Sequence, residues 1–278
     1  MDYTQITYDV VEHVARLSMN RPEVKNAQSR VLVEELDHAF ARARDDHEVR
    51  VVVLRGEGDS FSAGHDLGSP EQRADREARP DEPGLRGRYG GSWERNIELT
   101  LRWRNLPKPT VAAVHGDCIF AGWMIASAMD VIFAADNTRF LPTNFQYFSV
   151  PWDLGVRRAK EVLFQSRFLS AEDAADYGLV NRVVPLADLD SEVMEYAGSV
   201  AQNDPFQLRM IKLAINQAQD AQGFTQHIYG AFGLHILSSV GESDPTANLP
   251  DLEGRRRRPM VQRAIENQRR ADARRTLE

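Results

Sequence analysis

Two glycine-containing turns, about fifty residues apart, are the part of this sequence best suited to chemistry. Residues 61–67 (FSAGHDL) follow the apolar run 51–54, and residues 114–122 (VHGDCIFAG) follow residues 110–113 (TVAA). Each pattern predicts a buried strand that ends at glycine and leads toward a helix, where backbone N–H groups lack partners. Two such groups directed at one point would form an oxyanion hole, which stabilises a carbonyl as it becomes an enolate.

The residues around these turns predict an α/β fold. Apolar periodicity predicts a hairpin at 6–19, a helix at 29–43, strands at 51–55, 110–115 and 131–135, and a helix at 121–129. Strands that alternate with helices are typical of largely parallel sheets. Further helices are expected at 171–177, with Ser170 as N-cap, and at 190–202, 205–221 and 224–240. Residues 68–91 are rich in glycine, proline and charge, which predicts a mobile loop.

Composition excludes several classes of protein. Apolar residues make up 42% of the chain and charged residues 27%, as in ordinary soluble proteins. A formal net charge of −7 argues against nucleic-acid binding. Cys118 is the only cysteine, which fits an inert buried thiol and a reducing cytoplasm. His115, Asp117 and Asp130 interrupt the apolar stretch 111–135, so no membrane span is expected. No His/Cys cluster or strand-borne GxGxxG motif indicates a metal or redox cofactor.

Six motifs in a fixed order resemble the crotonase, or enoyl-CoA hydratase/isomerase, superfamily. They are residues 20–22 (NRP) with 26–27 (NA), 56–58 (GEG), 61–67, 108–116 (KPTVAAVHG), 130–135 (DVIFAA), and 170–174 (SAEDA) with 178–180 (GLV). Each is weak alone, but the ordered set over roughly residues 5–240 is specific.

That resemblance implies a crotonase-like spiral of repeated ββα units in residues 1–190, followed by a C-terminal helical oligomerisation region with a basic tail in residues 191–278. It implies a homotrimer or a dimer of trimers. The implied substrate is an acyl-CoA thioester, with coenzyme A as part of the substrate and no separate cofactor.

The resemblance also carries site residues onto this chain. The backbone N–H groups of His65 and Ala121 would hold the thioester oxygen. Residues expected to bind the substrate are Asn26, Ala27, Ala63, Gly64, Asp66, Leu67, Phe120, Met124, Asn144 and Trp152. The His65 side chain is interpreted either as a ligand contact or proton carrier, or merely as the residue whose amide is used.

Two departures argue against ordinary hydration. Hydratases of this family use two glutamates, because water must lose a proton while the α-carbon gains one. Their positions correspond to Met124 and Asn144, neither of which can act as a general acid or base. The usual triple-glycine turn is altered to residues 120–122 (FAG).

One carboxylate, Asp153, stands in the region that carries a catalytic aspartate in some relatives. Burial beside Trp152 would raise its pKa and suit a proton shuttle between two carbons. The alternative is a helix N-cap. An aromatic-rich set would line a broad acyl pocket or simply form core: Phe120, Trp123, Met124, Phe145, Tyr147, Phe148 and Trp152.

These residues favour double-bond isomerisation or another reaction with a single carboxylate. Two alternatives remain: carbon–carbon hydrolysis of a β-diketone through His115, His65 and Asp153, and an acyl-CoA-binding protein without catalysis. The arginine-rich tail, from Glu253 onward, is either a solvated surface element or a basic arm that touches a phosphorylated ligand or a neighbouring subunit.

Overall fold

A computed structural model describes residues 1–142, 146–240 and 259–275. Its strands are β1 (Ile6–Val11), β2 (Val14–Met19), β3 (Val51–Gly56), β4 (Thr110–Val114), β5 (Asp117–Ile119), β6 (Val131–Ala135), β7 (Arg139–Leu141), β8 (Leu169–Ser170) and β9 (Arg182–Val184). Its helices are α1 (Arg30–Asp45), α2 (Pro70–Ala78), α3 (Gly84–Trp93), α4 (Leu99–Arg104), α5 (Ala121–Ser127), α6 (Val150–Leu154), α7 (Val156–Gln165), α8 (Ala171–Asp176), α9 (Leu189–Ala201), α10 (Pro205–Ala221), α11 (Phe224–Val240) and α12 (Pro259–Arg275). The predicted alternation of strands and helices is confirmed.

The strands form two sheets, and the chain alternates between them from β4 to β7. The larger sheet has the order β1-β2-β3-β4-β6-β9 and is parallel except for the β1–β2 hairpin. The smaller sheet has the order β5-β7-β8, with β5 parallel to β7. The chain therefore runs β4–β5–α5 and then β6–β7–α6, which is the repeated ββα unit that the resemblance implied.

Strand β3 is a continuous apolar run because both faces of the larger sheet are buried. Val52 packs in the same apolar cluster as Leu36 of α1, whereas its neighbour Val53 packs with Val193 of α9. Helices on both faces fix the position of the strand, and so fix the point where β3 ends and the first glycine turn follows.

The prediction of a mobile loop at residues 68–91 is wrong, because most of this segment is helical. The Ser69 side chain accepts a hydrogen bond from the Gln72 N–H and Pro70 is the first helical residue, which together start α2. Arg30 of α1 then forms ion pairs with Asp75 of α2 and with Asp81 in the α2–α3 connection. A π-helical turn, Glu94–Glu98, joins α3 to α4. Interactions with α1 thus stabilise a segment whose composition alone suggested irregular structure.

The C-terminal region is helical as predicted. Ile228 and Phe232 of α11 are buried in the main core, and Ala264 of α12 is buried against β7 and the second glycine turn. Among the helices that the structure describes, none is long and apolar enough to cross a membrane. The division of the chain at residue 190 stays a prediction, and the arginine run 255–258 lies outside the described residues.

Candidate active site

The first glycine turn continues from β3 and pairs with β5. The Ser62 N–H donates to the Asp117 carbonyl (2.9 Å), and the Ser62 carbonyl accepts from the Ile119 N–H (2.9 Å). A Cβ on Gly122, in the first turn of α5, would lie 2.6 Å from the Ser62 carbonyl oxygen, closer than a side chain permits. The two predicted turns are therefore adjacent in space.

Hydrogen bonds on either side of His65 set the direction of its backbone. The Gln28 N–H donates to the Gly64 carbonyl (2.7 Å), and the Asp66 N–H donates to the Gln28 carbonyl (3.0 Å). In a parallel bridge of this kind, the central residue directs its own N–H away from the partner strand. The His65 N–H therefore points to the side opposite Gln28.

The second turn changes direction at Phe120. This residue has φ 47° and ψ −101°, a conformation that glycine adopts more readily than phenylalanine. Its N–H donates to the Leu141 carbonyl (2.9 Å), and α5 begins at the next residue, Ala121. Within residues 1–142, 146–240 and 259–275, the Ala121 N–H has no acceptor, as expected for the first amide of a helix.

Gly64 brings the two turns into contact. A Cβ built on it would lie 2.7 Å from the Ile119 carbonyl oxygen, 3.3 Å from Phe120 Cβ and 3.4 Å from the Ala121 nitrogen. Its φ of +89° is also unfavourable for other residues. Only glycine permits this approach, and the residue after it is His65.

Asn26 and Ala27 lie behind the first turn rather than in an open cavity. Asn26 is completely buried: its Oδ1 accepts from the Arg21 N–H (2.8 Å), and its Nδ2 donates to the carbonyls of Glu57 and Ser60 (2.8 Å each). The Ala27 carbonyl accepts from Arg21 Nη1 (2.6 Å). In this structure both residues position the turn, and their predicted contact with a substrate stays a prediction.

Asp66 is likewise buried and satisfied by protein groups. Its carboxylate accepts hydrogen bonds from the Gly68 N–H, the Ser69 N–H, the Ser69 hydroxyl and Arg21. Burial raises the pKa of this carboxyl, but the hydrogen bonds from Ser69, Gly68 and Arg21 outweigh that effect and hold the pKa below its usual value. Asp66 is therefore a charged anchor for the turn.

A cavity of about 490 Å³ opens beside the two turns. It is lined by Glu23, Val24, Lys25, Ala63, His65, Leu67, Asp117, Ile119, Phe120, Arg139, Phe168, Val261 and Ile265. The sequence predicted four of these, Ala63, His65, Leu67 and Phe120. It missed Lys25, Arg139 and the α12 residues, because no local pattern indicates that a C-terminal helix returns to this point.

We call this cavity the larger cavity, to distinguish it from the second cavity described below. At its mouth, two cationic side chains pair with the same carboxylate. Lys25 Nζ lies 3.1 Å from Asp117, and Arg139 binds the same carboxylate. The side chains of Lys25 and Arg139 are each 49% exposed, so both remain accessible to an anionic ligand. Val261 and Ile265 of α12 supply an apolar wall.

The His65 side chain points toward Gln146, a residue that the sequence did not single out. Its Nε2 lies 2.7 Å from Gln146 Oε1, and Gln146 is buried. An amide oxygen only accepts, so Nε2 carries the proton and donates in this contact. His65 and Leu67 also line a second cavity, of about 310 Å³, between α1, α2 and α3.

Asp153 lies inside α6 and forms a network with α5. Its Oδ2 accepts from Trp123 Nε1 (2.9 Å) and from the Ser149 hydroxyl (2.7 Å). Its Oδ1 has no donor within the part of the chain that the structure describes, and the residue is partly accessible. Burial raises the pKa of Asp153 to about 6, although the hydrogen bonds from Ser149 and Trp123 oppose the shift. Its side chain caps no described helix, and Gly155 precedes α7 instead.

The aromatic residues near Asp153 pack mainly as core. Trp123 and Tyr147 are completely buried, and Phe120 and Met124 are buried as well. The Trp152 indole N–H donates to His227 Nδ1 (3.0 Å), and its ring packs against Phe224. Asn144 and Phe145, two further members of the predicted site, lie outside the described residues.

His115 does not line the larger cavity beside the two turns. Its Nε2 lies 3.0 Å from the Gly58 carbonyl, and burial lowers its pKa. It lines a different cavity, together with Arg55 and Asp59. Cys118 is completely buried, and burial raises the pKa of its thiol, as expected for an inert residue. Among the described residues, no group of three or more His, Cys, Asp or Glu side chains could hold a metal ion.

Comparison with known proteins agrees with this geometry. The family model described as enoyl-CoA hydratase/isomerase matches residues 9–235. EchA13 of Mycobacterium tuberculosis, which is named as an enoyl-CoA hydratase, is 35% identical over 258 residues, covering 85% of this chain and 81% of that protein.

Solved structures of similar proteins share the fold. A probable enoyl-CoA hydratase from Mycobacterium thermoresistibile has 41% identity and a TM-score of 0.77, covering 84% of this chain and 96% of its own. An enoyl-CoA hydratase/isomerase from Xanthobacter autotrophicus Py2 has 31% identity and a TM-score of 0.78, covering 88% of this chain and 90% of its own. With its fold, its paired glycine turns and these relatives, the chain belongs to the enoyl-CoA hydratase/isomerase family of the crotonase superfamily.

Proposed function

We propose that this enzyme binds an acyl-CoA thioester and stabilises its enolate between the backbone N–H groups of His65 and Ala121. The observation that carries the proposal is the contact between the two turns: a Cβ on Gly64 would lie 2.7 Å from the Ile119 carbonyl oxygen, which excludes it, and the Ala121 nitrogen lies only 3.4 Å from the same position. The His65 N–H, on the side away from Gln28, and the first amide of α5 are the two donors.

The chemistry explains why fixed donors matter. Removing a proton next to a thioester carbonyl puts negative charge on the carbonyl oxygen. Two amides held by sheet and helix stabilise that charge without reorganising, and loss of one such donor costs about 3 kcal/mol of transition-state stabilisation. Amides in rigid elements suit this role better than flexible side chains do.

We propose that the larger cavity receives coenzyme A. Residues of the first turn and of α12 line this cavity. The half-exposed Lys25 and Arg139 side chains at its mouth would attract phosphate groups. The apolar wall formed by Val261 and Ile265 would pack against the uncharged parts of the ligand. The tail would then contact the ligand through apolar residues of α12, whereas the arginine run of the predicted basic arm lies outside the described residues.

We propose Asp153 as the single acid/base, which favours double-bond isomerisation over hydration. By the family resemblance, Met124 corresponds to one glutamate of the hydratases, and its thioether cannot carry a proton. A pKa of about 6 lets Asp153 accept a proton from one carbon and return it to another near neutral pH. The absence of a described donor on its Oδ1 leaves that oxygen available for such a transfer.

The deciding experiment is incubation with saturated, unsaturated and cyclic acyl-CoAs, read by mass spectrometry and chromatography. Isomerisation leaves the mass unchanged and alters retention, whereas hydration adds the mass of water and hydrolysis cleaves the molecule. Asp153→Asn is expected to abolish turnover while CoA-ester binding persists. Asp176→Asn, at an exposed position of α8, is the matched control and should be fully active.

Other outcomes have defined meanings. Tight binding without any conversion would identify an acyl-CoA-binding protein. Undiminished turnover by Asp153→Asn would remove this residue from the mechanism. Hydrolysis of a β-diketone through His115 is the weaker alternative, because the His115 Nε2 already contacts the Gly58 carbonyl (3.0 Å).

We also propose that the protein is a homotrimer or a dimer of trimers. Helices α10 and α11 expose a series of large apolar side chains, namely Phe206, Ile211, Leu213, Ile215, Leu234 and Leu237. Such a surface is typical of an oligomer interface. Light scattering after size exclusion is expected to give a trimer or hexamer mass, and a monomer at micromolar concentration would contradict this proposal.

A further inference from the structure

The second cavity that His65 borders does not resemble a pocket for a fatty acyl chain. It measures about 310 Å³, and of the described residues that line it only Val33 and Leu67 are apolar. Its cationic lining residues are Arg30, Arg76, Arg88 and Arg95. A hydrocarbon chain here would desolvate polar groups without giving them hydrogen-bond partners, which is unfavourable.

The charges of this lining do not balance. Its two carboxylates are Asp66 and Asp81. Asp66 is already held by Arg21, which lies outside the cavity, at 2.8 Å. Asp81 is shared by Arg30 (3.1 Å) and Arg95 (3.2 Å), and Arg30 also pairs with Asp75 (3.3 Å), which lies outside the lining. The lining thus holds four arginines and two carboxylates, and Arg76 pairs with neither carboxylate.

Two of the arginines can turn toward a ligand at little cost. Arg76 is exposed on α2 and makes no hydrogen bond or ion pair with the residues that the structure describes. Arg95 contacts Asp81 only loosely, at 3.2 and 3.5 Å, and its side chain is 28% exposed. Guanidinium groups bind carboxylates through two parallel hydrogen bonds, so these side chains suit an anionic oxygen pair.

The position of this cavity relates it to the acyl group. His65 and Leu67 line both cavities, and Gln146, the partner of His65, lines the second one. With coenzyme A in the larger cavity and the thioester oxygen at the His65 N–H, the acyl group has the arginine-lined cavity on its other side.

We infer that the acyl group of the substrate carries a second carboxylate, which binds in the arginine-lined cavity against Arg76 and Arg95. This inference rests on the proposed function, which it narrows to one substrate class, the CoA esters of dicarboxylic acids. The arginines would orient the far end of the acyl group, while the two backbone amides hold the reacting end.

Calorimetric titration with hexanoyl-CoA and adipoyl-CoA tests this directly, since the two ligands differ at the terminal carboxylate and neither has a double bond. The wild-type protein is expected to bind adipoyl-CoA about tenfold more tightly, as two partly exposed ion pairs allow. Arg76→Gln and Arg95→Gln should each reduce this preference about threefold, and together they should remove it. Binding of hexanoyl-CoA should not change.

Arg86→Gln is the matched control, because Arg86 is exposed on α3 and lines neither cavity. It removes the same charge and should keep the preference, and circular dichroism verifies that all variants are folded. Equal affinity of the wild-type protein for both ligands would overturn the inference of a second carboxylate but not the proposed function. The same holds if Arg76→Gln and Arg95→Gln weaken the binding of free CoA, hexanoyl-CoA and adipoyl-CoA equally, since the arginines would then bind CoA phosphates. No binding of any CoA ester would overturn the proposed function as well.

Discussion

The Arg21 guanidinium lies 2.8 Å from the Asp66 carboxylate, and both side chains are only 3% exposed. Arg21 precedes α1, whereas Asp66 directly follows His65, so the ion pair joins two segments that are 45 positions apart. Arg21 also donates to the Ala27 carbonyl and to the Ser69 hydroxyl. This one side chain therefore holds the first glycine turn against the segment that leads into α1.

Asp66→Asn is expected to lower the free energy of unfolding by about 3–5 kcal/mol, because it keeps the shape of the side chain but leaves the buried Arg21 with only Glu71, an exposed carboxylate at 3.4 Å. Urea denaturation measures this loss. Asp45→Asn, at an exposed site that pairs with Arg44, should leave the unfolding midpoint unchanged. Equal losses of stability in the two variants would show that the buried ion pair contributes no more to stability than the exposed one.

Gly64→Ala should separate the two turns. A Cβ at this position would lie 2.7 Å from the Ile119 carbonyl oxygen, so one turn must move. Gly223→Ala is the matched control, because Gly223 also has positive φ, +101°, but no atom lies within 4 Å of its Cβ position. We expect Gly64→Ala to cost about 1–3 kcal/mol more stability than the control.

Only Gly64→Ala should also abolish turnover of the acyl-CoA substrate, since only this variant displaces the proposed oxyanion donors. Full activity of Gly64→Ala, measured beside Gly223→Ala, would mean that the contact between the turns is not needed for the reaction.

Sequence patterns predicted the large elements because their signals are local. The apolar run of β3 consists of four consecutive residues. At the start of α8, the Ser170 hydroxyl accepts the expected hydrogen bond from the Asp173 N–H. The helices α2 and α3 were missed because their glycine and proline content suggests a loop. Arg30, which is distant in sequence, stabilises α2 through Asp75 and the α2–α3 connection through Asp81.

The candidate site was predicted only in part, for the same reason. The two turns carry recognisable motifs, so His65 and Ala121 could be named in advance. Gln146 and Ile265 could not, because each reaches the site from a distant segment: Gln146 is 81 positions from His65, and Ile265 belongs to the C-terminal helix that packs against the second turn. Such contacts depend on how the sheets and helices pack, and local sequence patterns do not predict them.

Phe120 has a backbone conformation, φ 47° and ψ −101°, that favours glycine. Phe120→Ala removes the buried ring and keeps the strain, whereas Phe120→Gly removes both. We therefore expect the glycine variant to be more stable than the alanine variant by about 1–3 kcal/mol, opposite to the usual order. Thermal unfolding of the two variants compares them directly. An alanine variant at least as stable as the glycine variant would mean that the turn is unstrained.

Tyr147→Phe should stabilise the protein. The tyrosine is completely buried, and its hydroxyl has no hydrogen-bond partner among the described residues. Removing an unsatisfied buried hydroxyl is expected to raise the free energy of unfolding by about 1 kcal/mol. Tyr3→Phe is the control, because its hydroxyl lies 2.9 Å from His38 Nδ1 and its loss should give no gain. A destabilised Tyr147→Phe variant would indicate that a water or ligand binds this hydroxyl.

Asp153 should make stability fall as the pH rises from about 4 to about 6. Its pKa is about 6 in the folded protein, against about 3.9 in the unfolded chain, so between these values the native state binds more protons. The fall amounts to about 3 kcal/mol and ends above pH 6. Asp153→Asn cannot titrate, yet its amide oxygen still accepts from Trp123 and Ser149, so urea unfolding across this range should lose that slope. Identical pH profiles of the two proteins would mean that Asp153 has an ordinary pKa and is not tuned for proton transfer.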